Sequence, residues 1–500
     1  MKYLPFSRTL LSLAQRHIAL LCLSFVAAPA YAQSPSPAAK PAAANATVPV
    51  LLISDIHFEA FWDPDKVPKL NAANVSRWDS ILAPPASPGR DKTFKAFIKK
   101  CHCSQGDTSS VLLDASLKNM GLDATGAAFV TVSGDLVSHD FDKKYSTAFP
   151  GSTRAQFRAF VEKTIEYVVG KLYARFPGVP VYVALGNNDT DCRDYWLDAN
   201  SDFLKDTGLV VAKNFPTADK KNAEDTFAKG GYYSVALPAP IQNARLLVLD
   251  DLFMANDYKT CAGNPDKSEA VSETGWLAKR LAEARASKKQ KIWVMGHIPP
   301  GVDPYSTSKI MSSVCSGSLP PVMFQSSENM ADAMTGYGDV IQLAIFAHTH
   351  MDELRLLKDN GQTPPSQPPI SLKMVSSISP IHDNLPSITL AKIDPSTAAV
   401  VDYQVFSSPD LTGDNDKWTE GYAFDKSYLL PDFSSSSLAK LIAVFAADPG
   451  GTSQDSIDYI ADYSAGNDSS FLQTFWPQYV CSLSNHTATA FTTCACSNAH

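Results

Sequence analysis

Residues 48–57 read VPVLLISDIH, an apolar run of strand character that ends in an aspartate and, two residues later, a histidine. Valine, isoleucine and leucine with no polar alternation mark a strand covered on both faces. In open α/β sheets, ligand sites form just beyond the carboxyl ends of such strands. The pattern recurs four times. AFVTVSGD ends at Asp135, VYVALGNN at Asn187 and Asn188, IWVMGH at His297, and LAIFAHTH at His348 and His350. One histidine at a strand end is usually structural, but five polar strand ends in succession are hard to produce by packing alone. Gly134, Gly186 and Gly296 each precede the key residue, where they are expected to permit a sharp turn out of the strand.

Around these runs the chain alternates strand and helix. Strands are expected at 48–54, 129–133, 179–185, 246–249, 292–295 and 343–347. Phe157, Phe160, Val161, Ile165, Val168, Val169 and Leu172 recur at helical spacing, and 274–286 reads as a second helix around Trp276, Leu277 and Leu281. This is an α/β layer pattern. It runs over a catalytic domain at 48–405. Beyond 406 a Ser- and Asp-rich connection leads to helices at 436–447 and 471–480, a small C-terminal helical, cysteine-containing subdomain at 406–500.

The first 32 residues read as a secretory signal. Lys2, Arg8 and Arg16 precede an apolar run that ends in Ala30, Tyr31 and Ala32. That run is too short to span a bilayer, and no later segment is apolar enough. Residues 33–47 (QSPSPAAKPAAANAT) have nothing to bury and form a flexible leader. Eight of the nine cysteines follow the signal, an even number that suggests disulfides in an exported chain, secreted or periplasmic. The chain carries 43 basic against 51 acidic residues, a net charge of −8. Without the three basic signal residues the balance is 40 against 51, or −11, which excludes bulk nucleic-acid binding. Nothing in the sequence fixes the oligomeric state.

Four histidines, two aspartates and an asparagine suit two divalent cations of borderline softness: zinc first, with Mn, Fe or Co accepted by the same donors. In that order, D-x-H, G-D, G-N-N-D, G-H and A-H-T-H resemble the calcineurin-like metallophosphoesterase superfamily over about 350 residues. GHIPPG at 296–301, GDLVSHD at 134–140 and the cysteine-rich end resemble its acid sphingomyelinase-like and endopolyphosphatase branch. The resemblance implies a four-layer α/β/β/α sandwich. It also implies one metal on Asp55, His57 and His350, a second on Asn187, His297 and His348, and Asp135 bridging both. The chemistry expected is hydrolysis of a phosphodiester or phosphoanhydride, a phosphate-ester small molecule or lipid head group, by metal-bound hydroxide.

One position departs from the pattern. The common motif is G-N-H-[DE], and Asn188 stands where its histidine, a candidate proton donor, would be. A carboxamide is no general acid near neutral pH, so the catalytic position at Asn188 is in question and the role passes to His139, four residues after Asp135. His382, in SPIHDNLPS, resembles a segment lining the substrate pocket. The resemblance also suggests that Cys261 and Cys315 pair. A phosphomonoesterase or nucleotidase, an endopolyphosphatase and a catalytically inactive exported binding protein remain the alternative readings.

Overall fold

The apolar runs fold as strands. The computed structural model describes residues 46–359, 366–415, 417–466 and 469–497; the expected signal at 1–32 and all but the last two residues of the 33–47 leader lie outside them. In chain order the strands are β1 (Val48–Ile53), β2 (Val130–Ser133), β3 (Val181–Ala184), β4 (Tyr233–Ala236), β5 (Ala244–Val248) and β6 (Lys291–Met295). They continue with β7 (Ile341–Phe346), β8 (Glu353–Leu357), β9 (Ile370–Met374), β10 (Ser387–Ile393), β11 (Val400–Ser407) and β12 (Thr419–Ala423). One sheet has the order β12-β11-β10-β1-β2-β3 and the other β4-β5-β6-β7-β9-β8. β1, β2 and β3 run parallel in the first, and β5, β6, β7 and β9 in the second.

Residue parity shows how the sheets are layered. In the second sheet Leu246, Val248, Trp293, Met295, Leu343 and Ile345 belong to the large core shared with the first sheet. Their neighbours Leu247, Val294, Ala344 and Phe346 pack instead with Leu277, Leu281 and Ala284 of helix Ser268–Ser287 and with Met330 and Met334 of helix Asn329–Thr335. Successive strand residues point to opposite faces, so helices cover the outer face and the first sheet lies against the inner one. Trp293 crosses between the sheets, edge-on to Phe129 at 5.6 Å, with its indole N–H donating to Ala398 O at 2.8 Å. On the first sheet, helix Arg154–Arg175 buries the predicted stripe from Phe157 to Leu172. It extends past that stripe because Thr153 and Gln156 close a capping box at its start. The α/β/β/α expectation is met.

Strands β8 and β9 escape a search for apolar runs because Glu353, Arg355 and Lys373 interrupt them, yet all three are buried and paired. The 405/406 boundary falls inside β11, and β12 follows it before the C-terminal helices Ser435–Ala447, Gln454–Asp462, Ser470–Ser482 and Ala488–Ser497. Leu438, Leu441, Phe445, Trp476 and Tyr479 of these helices join the same core as β1 and β2. No helix of the described residues is long and apolar enough to cross a membrane.

Four disulfides join all eight cysteines of the described residues: Cys101–Cys103, Cys192–Cys261, Cys315–Cys496 and Cys481–Cys494. The expected Cys261–Cys315 pair is thus incorrect. Trp196 bridges Lys259 and Leu197 N donates to Lys259 O at 3.0 Å, which lays the Cys192 loop beside Cys261. Cys315 ends helix Met311–Cys315, which packs against the last helix and so meets Cys496.

Candidate metal centre

All seven expected ligands follow parallel strands, three from the first sheet and two from the second: Asp55 and His57 after β1, Asp135 after β2, Asn187 after β3, His297 after β6, and His348 and His350 after β7. Asp55, His57, Asp135, His348 and His350 have φ between 44° and 72°. Left-handed backbone is costly for such residues and persists where surrounding structure over-determines it, typically at functional sites. Only one of the three glycines acts through its own φ. Gly134 has φ 92°, and a Cβ there would lie 2.7 Å from His297 Nδ1. Gly186 instead clears room, since its Cβ would stand 2.2 Å from Asp135 Oδ1.

Hydrogen bonds fix which atoms face the centre. His57 Nδ1 donates to Val137 O at 2.9 Å, and His297 Nδ1 donates to Ser133 O at 2.7 Å. A carbonyl only accepts, so both Nε2 atoms are left to face inward. His57 Nε2 lies 3.1 Å from His350 Nε2, 3.4 Å from Asp135 Oδ2 and 3.8 Å from Asp55 Oδ1. His297 Nε2 lies 3.1 Å from Asn187 Oδ1 and 3.2 Å from Asp135 Oδ2. Asn187 Nδ2 donates to Asp194 Oδ1 at 2.8 Å, turning its oxygen inward. Asp135, His297 and His348 form one group of converging donors, and Asp55, His57 and Asp135 another.

Imidazole nitrogens, carboxylate oxygens and a carboxamide oxygen thus converge in one site. Both carboxylate oxygens of Asp55 and His350 Nδ1 are buried without a hydrogen-bond partner. Burial, with neighbouring imidazoles, pushes His57 and His348 down to about 3, and burial raises Asp55 to about 7. Burial opposes charge on His297 too, but Asp135 outweighs it and holds that imidazole up at about 10. Such a donor set fits divalent cations, whose positive charge would displace the proton from His297 and favour the ionised carboxyl of Asp55.

Asn188 does not stand in for a proton donor. Its backbone N–H donates to Asp135 Oδ1 at 2.8 Å and its Nδ2 to Asp135 Oδ2 at 2.9 Å, so it holds the central carboxylate. His139 stacks on His57 with ring centroids 4.0 Å apart and meets His382 edge-on at 5.7 Å. His382 in turn lies 4.5 Å from the His350 ring. Both residues therefore reach the centre. His139 Nδ1 and backbone N–H donate to Asp107 at 3.0 and 2.9 Å. Burial opposes its charge, but Asp107 prevails and raises it to about 9. Asp107 also accepts from Ser379 Oγ at 3.0 Å and sits 3.6 Å from the buried ammonium of Lys144, which pairs with Glu59.

Asp107, Lys144 and Glu59 carry no signal in the sequence, because none ends a strand. Two others did. Asp189 completes GNND and accepts from Leu136, Val137 and Gly186 N–H, and Asp251 follows β5 in the same strand-end pattern and accepts from His297 and Ile298 N–H. A cavity of about 520 Å³ opens beside the centre, lined by His348, His382, Phe324, Tyr305, Tyr463 and Phe471 among others.

The human acid sphingomyelinase-like phosphodiesterase 3b is 22% identical over 412 residues, 78% of this chain and 80% of that protein. The Mus musculus cyclic GMP-AMP phosphodiesterase SMPDL3A is 25% identical over 342 residues, 66% of this chain and 68% of its own. The sphingomyelinase phosphodiesterase C of Dictyostelium discoideum is 22% identical over 332 residues, 63% of this chain and 67% of its own. Residues 48–352, which carry every strand end of the centre, match the calcineurin-like phosphoesterases, and the chain belongs to that family.

Proposed function

We propose that this chain is an exported phosphodiesterase in which Asp55, His57 and His350 hold one divalent cation, Asn187, His297 and His348 hold a second, and Asp135 lies between them. The observation that carries the reading is the convergence of these nitrogen and oxygen donors at five strand ends, with both carboxylate oxygens of Asp55 left without a hydrogen-bond partner. Bound there, the cations supply Lewis-acid polarisation of the phosphoryl group and a water acidic enough to attack it near neutral pH; zinc suits the donor set, and Mn, Fe and Co are its rivals.

The protein's own residues supply the rest. Ser133 and Val137 carbonyls set the histidine tautomers, and Asn188 fixes both oxygens of Asp135. His139 has its Nδ1 committed to Asp107, which leaves Nε2 to give a proton to the departing oxygen. His382, on the rim of the cavity, contacts the substituent next to the phosphorus. The names of the relatives, sphingomyelinase-like and cyclic GMP-AMP phosphodiesterases, support a diester over a monoester. Four disulfides support an oxidising, exported setting.

The test is elemental analysis of the purified protein beside a hydrolysis panel of sphingomyelin, a bis-aryl phosphodiester, nucleotides, polyphosphate and a phosphomonoester. Two metals per chain and diester cleavage abolished by a chelator are expected. Cleavage of polyphosphate or the monoester alone would refute the diester reading. Metal binding with no hydrolysis at all would make the chain a binding protein.

A further inference from the structure

The loop bearing His348 and His350 is tied to the C-terminal helices through Thr349, the residue between the two ligands. Its Oγ1 donates to Glu353 Oε1 at 2.7 Å. Glu353 is 1% exposed, and its other oxygen accepts from Tyr479 OH at 2.9 Å and from Arg355 Nη2 at 3.2 Å. Tyr479 belongs to helix Ser470–Ser482, and its OH lies 2.7 Å from that of Tyr459 on helix Gln454–Asp462. A phenol has one proton. Since Tyr479 gives its proton to Glu353, Tyr459 must donate to the Tyr479 oxygen. The result is an unbroken chain of hydrogen bonds from Tyr459 through Tyr479 and Glu353 to Thr349. Burial pushes the Tyr479 phenol well above its ordinary value, so it remains a donor throughout the working pH range.

Three further contacts hold the chain just after that loop, two from the C-terminal region and one from the segment after His297. Asp352 N donates to Tyr463 O at 2.8 Å, Leu356 N to Leu483 O at 2.7 Å, and Arg355 Nη1 to Val302 O at 3.3 Å. His348 and His350 both hold left-handed backbone, with φ of 72° and 65°. A loop so strained needs external restraint to stay in place, and residues behind a ligand commonly set metal affinity as strongly as 10- to 100-fold. Tyr459, Tyr463 and Tyr479 lie beyond residue 352, outside the segment that matches the family.

We propose that Glu353 and Tyr479 are positioning residues that transmit the docking of the C-terminal helices to His348 and His350, one ligand from each half of the metal centre. The proposal rests on the dinuclear reading above. Metal affinity is measured on the full-length exported protein by zinc competition against a chromogenic chelator, with melting of the metal-free protein followed in parallel. Tyr479→Phe keeps the ring and removes the donor. Its zinc affinity should fall about 10-fold or more, and Glu353→Ala should match or exceed that loss while Glu353→Gln recovers part of it. Tyr145→Phe removes a buried phenol that donates to Gln156 O at 3.1 Å, at the helix covering the first sheet, and serves as the control for lost stability alone. Equal zinc affinity in Tyr479→Phe, Tyr145→Phe and the parent would overturn the proposal, as would a fall in Tyr479→Phe fully matched by Tyr145→Phe at equal melting temperature. A parent protein that failed to bind two zinc ions would instead refute the dinuclear reading.

Discussion

Replacing His139 by glutamine separates proton donation from every other role this residue could have. The variant should fold. Asp107 retains Ser379 Oγ at 3.0 Å, Lys144 at 3.6 Å and the backbone N–H of residue 139, so its charge is not orphaned. What is lost structurally is the stacking on His57 at 4.0 Å, about 1 kcal/mol for an aromatic pair. The metal ligands keep their own partners, Val137 O for His57 and Ser133 O for His297. Chemically the change removes an acid. General acid catalysis contributes about 100-fold or more where the departing oxygen is strongly basic, equivalent to roughly 2.7 kcal/mol at 1.36 kcal/mol per tenfold. Alkyl phosphodiesters should therefore slow by about 100-fold, and nitrophenyl esters, whose phenolate leaves without a proton, by much less. The assay is kcat/KM for one alkyl and one aryl diester on protein shown by elemental analysis to hold both metals. Equal losses would refute the acid role and assign His139 to phosphate contact; metal loss would make it a support for His57. With neither rate changed, His382 becomes the next residue to substitute.

Asp107→Asn should reproduce most of the alkyl-selective loss, because the carboxylate is what keeps the His139 imidazole charged; an unchanged alkyl rate would break the link between the two residues. Asp135→Ala removes the carboxylate shared by both halves of the centre, and elemental analysis finding two bound metals in that variant would contradict its bridging place. Peptide mapping should recover Cys192 with Cys261 and Cys315 with Cys496. Removing the second pair, separated by 181 residues, should cost up to about 5 kcal/mol in the chain-entropy model, read by denaturant unfolding. Burial raises Asp250 and Glu273 well above the usual carboxylate range, and neither forms an ion pair among the described residues. Raised carboxyls contribute stability that is full below pH ~4 and is lost as pH rises toward their displaced values. Glu273→Gln should therefore flatten the fall in melting temperature between pH 5 and 8, and an unchanged slope would count against a neutral Glu273.

The residues proposed as metal ligands were legible because each lies a few residues past an apolar run that folds as a buried strand, so local sequence and site coincide. The second sheet's far edge was not. Glu353, Arg355 and Lys373 make β8 and β9 look solvent-exposed, and only their pairing with one another, with Asp352 and with tyrosines of remote segments makes burial tolerable. The disulfide pairing failed for a related reason. Cys261 meets Cys192, 69 residues earlier, because their two loops pair along Trp196 and Lys259, a juxtaposition created by the fold and absent from any spacing of cysteines.

Asn188 shows how far one residue type can be read. Its identity alone excluded proton donation, and the structure adds that its amide is already spent on both oxygens of Asp135. A histidine in its place could meet Oδ2 through Nδ1–H and still present Nε2, whereas the carboxamide has no acid to offer. On the proposed reading two tasks are separated: holding the central carboxylate, which stays at the end of β3, and donating the proton, which is assigned to His139 after β2. That second task needs a carboxylate behind the imidazole, and Asp107 comes from the start of helix Ser110–Asp123, 32 residues earlier in sequence and brought in by Thr108 pairing with Phe58. A ligand set carried on strand ends can be read residue by residue; a proton donor whose partner is supplied by another layer of the fold becomes visible only when the layers are assembled.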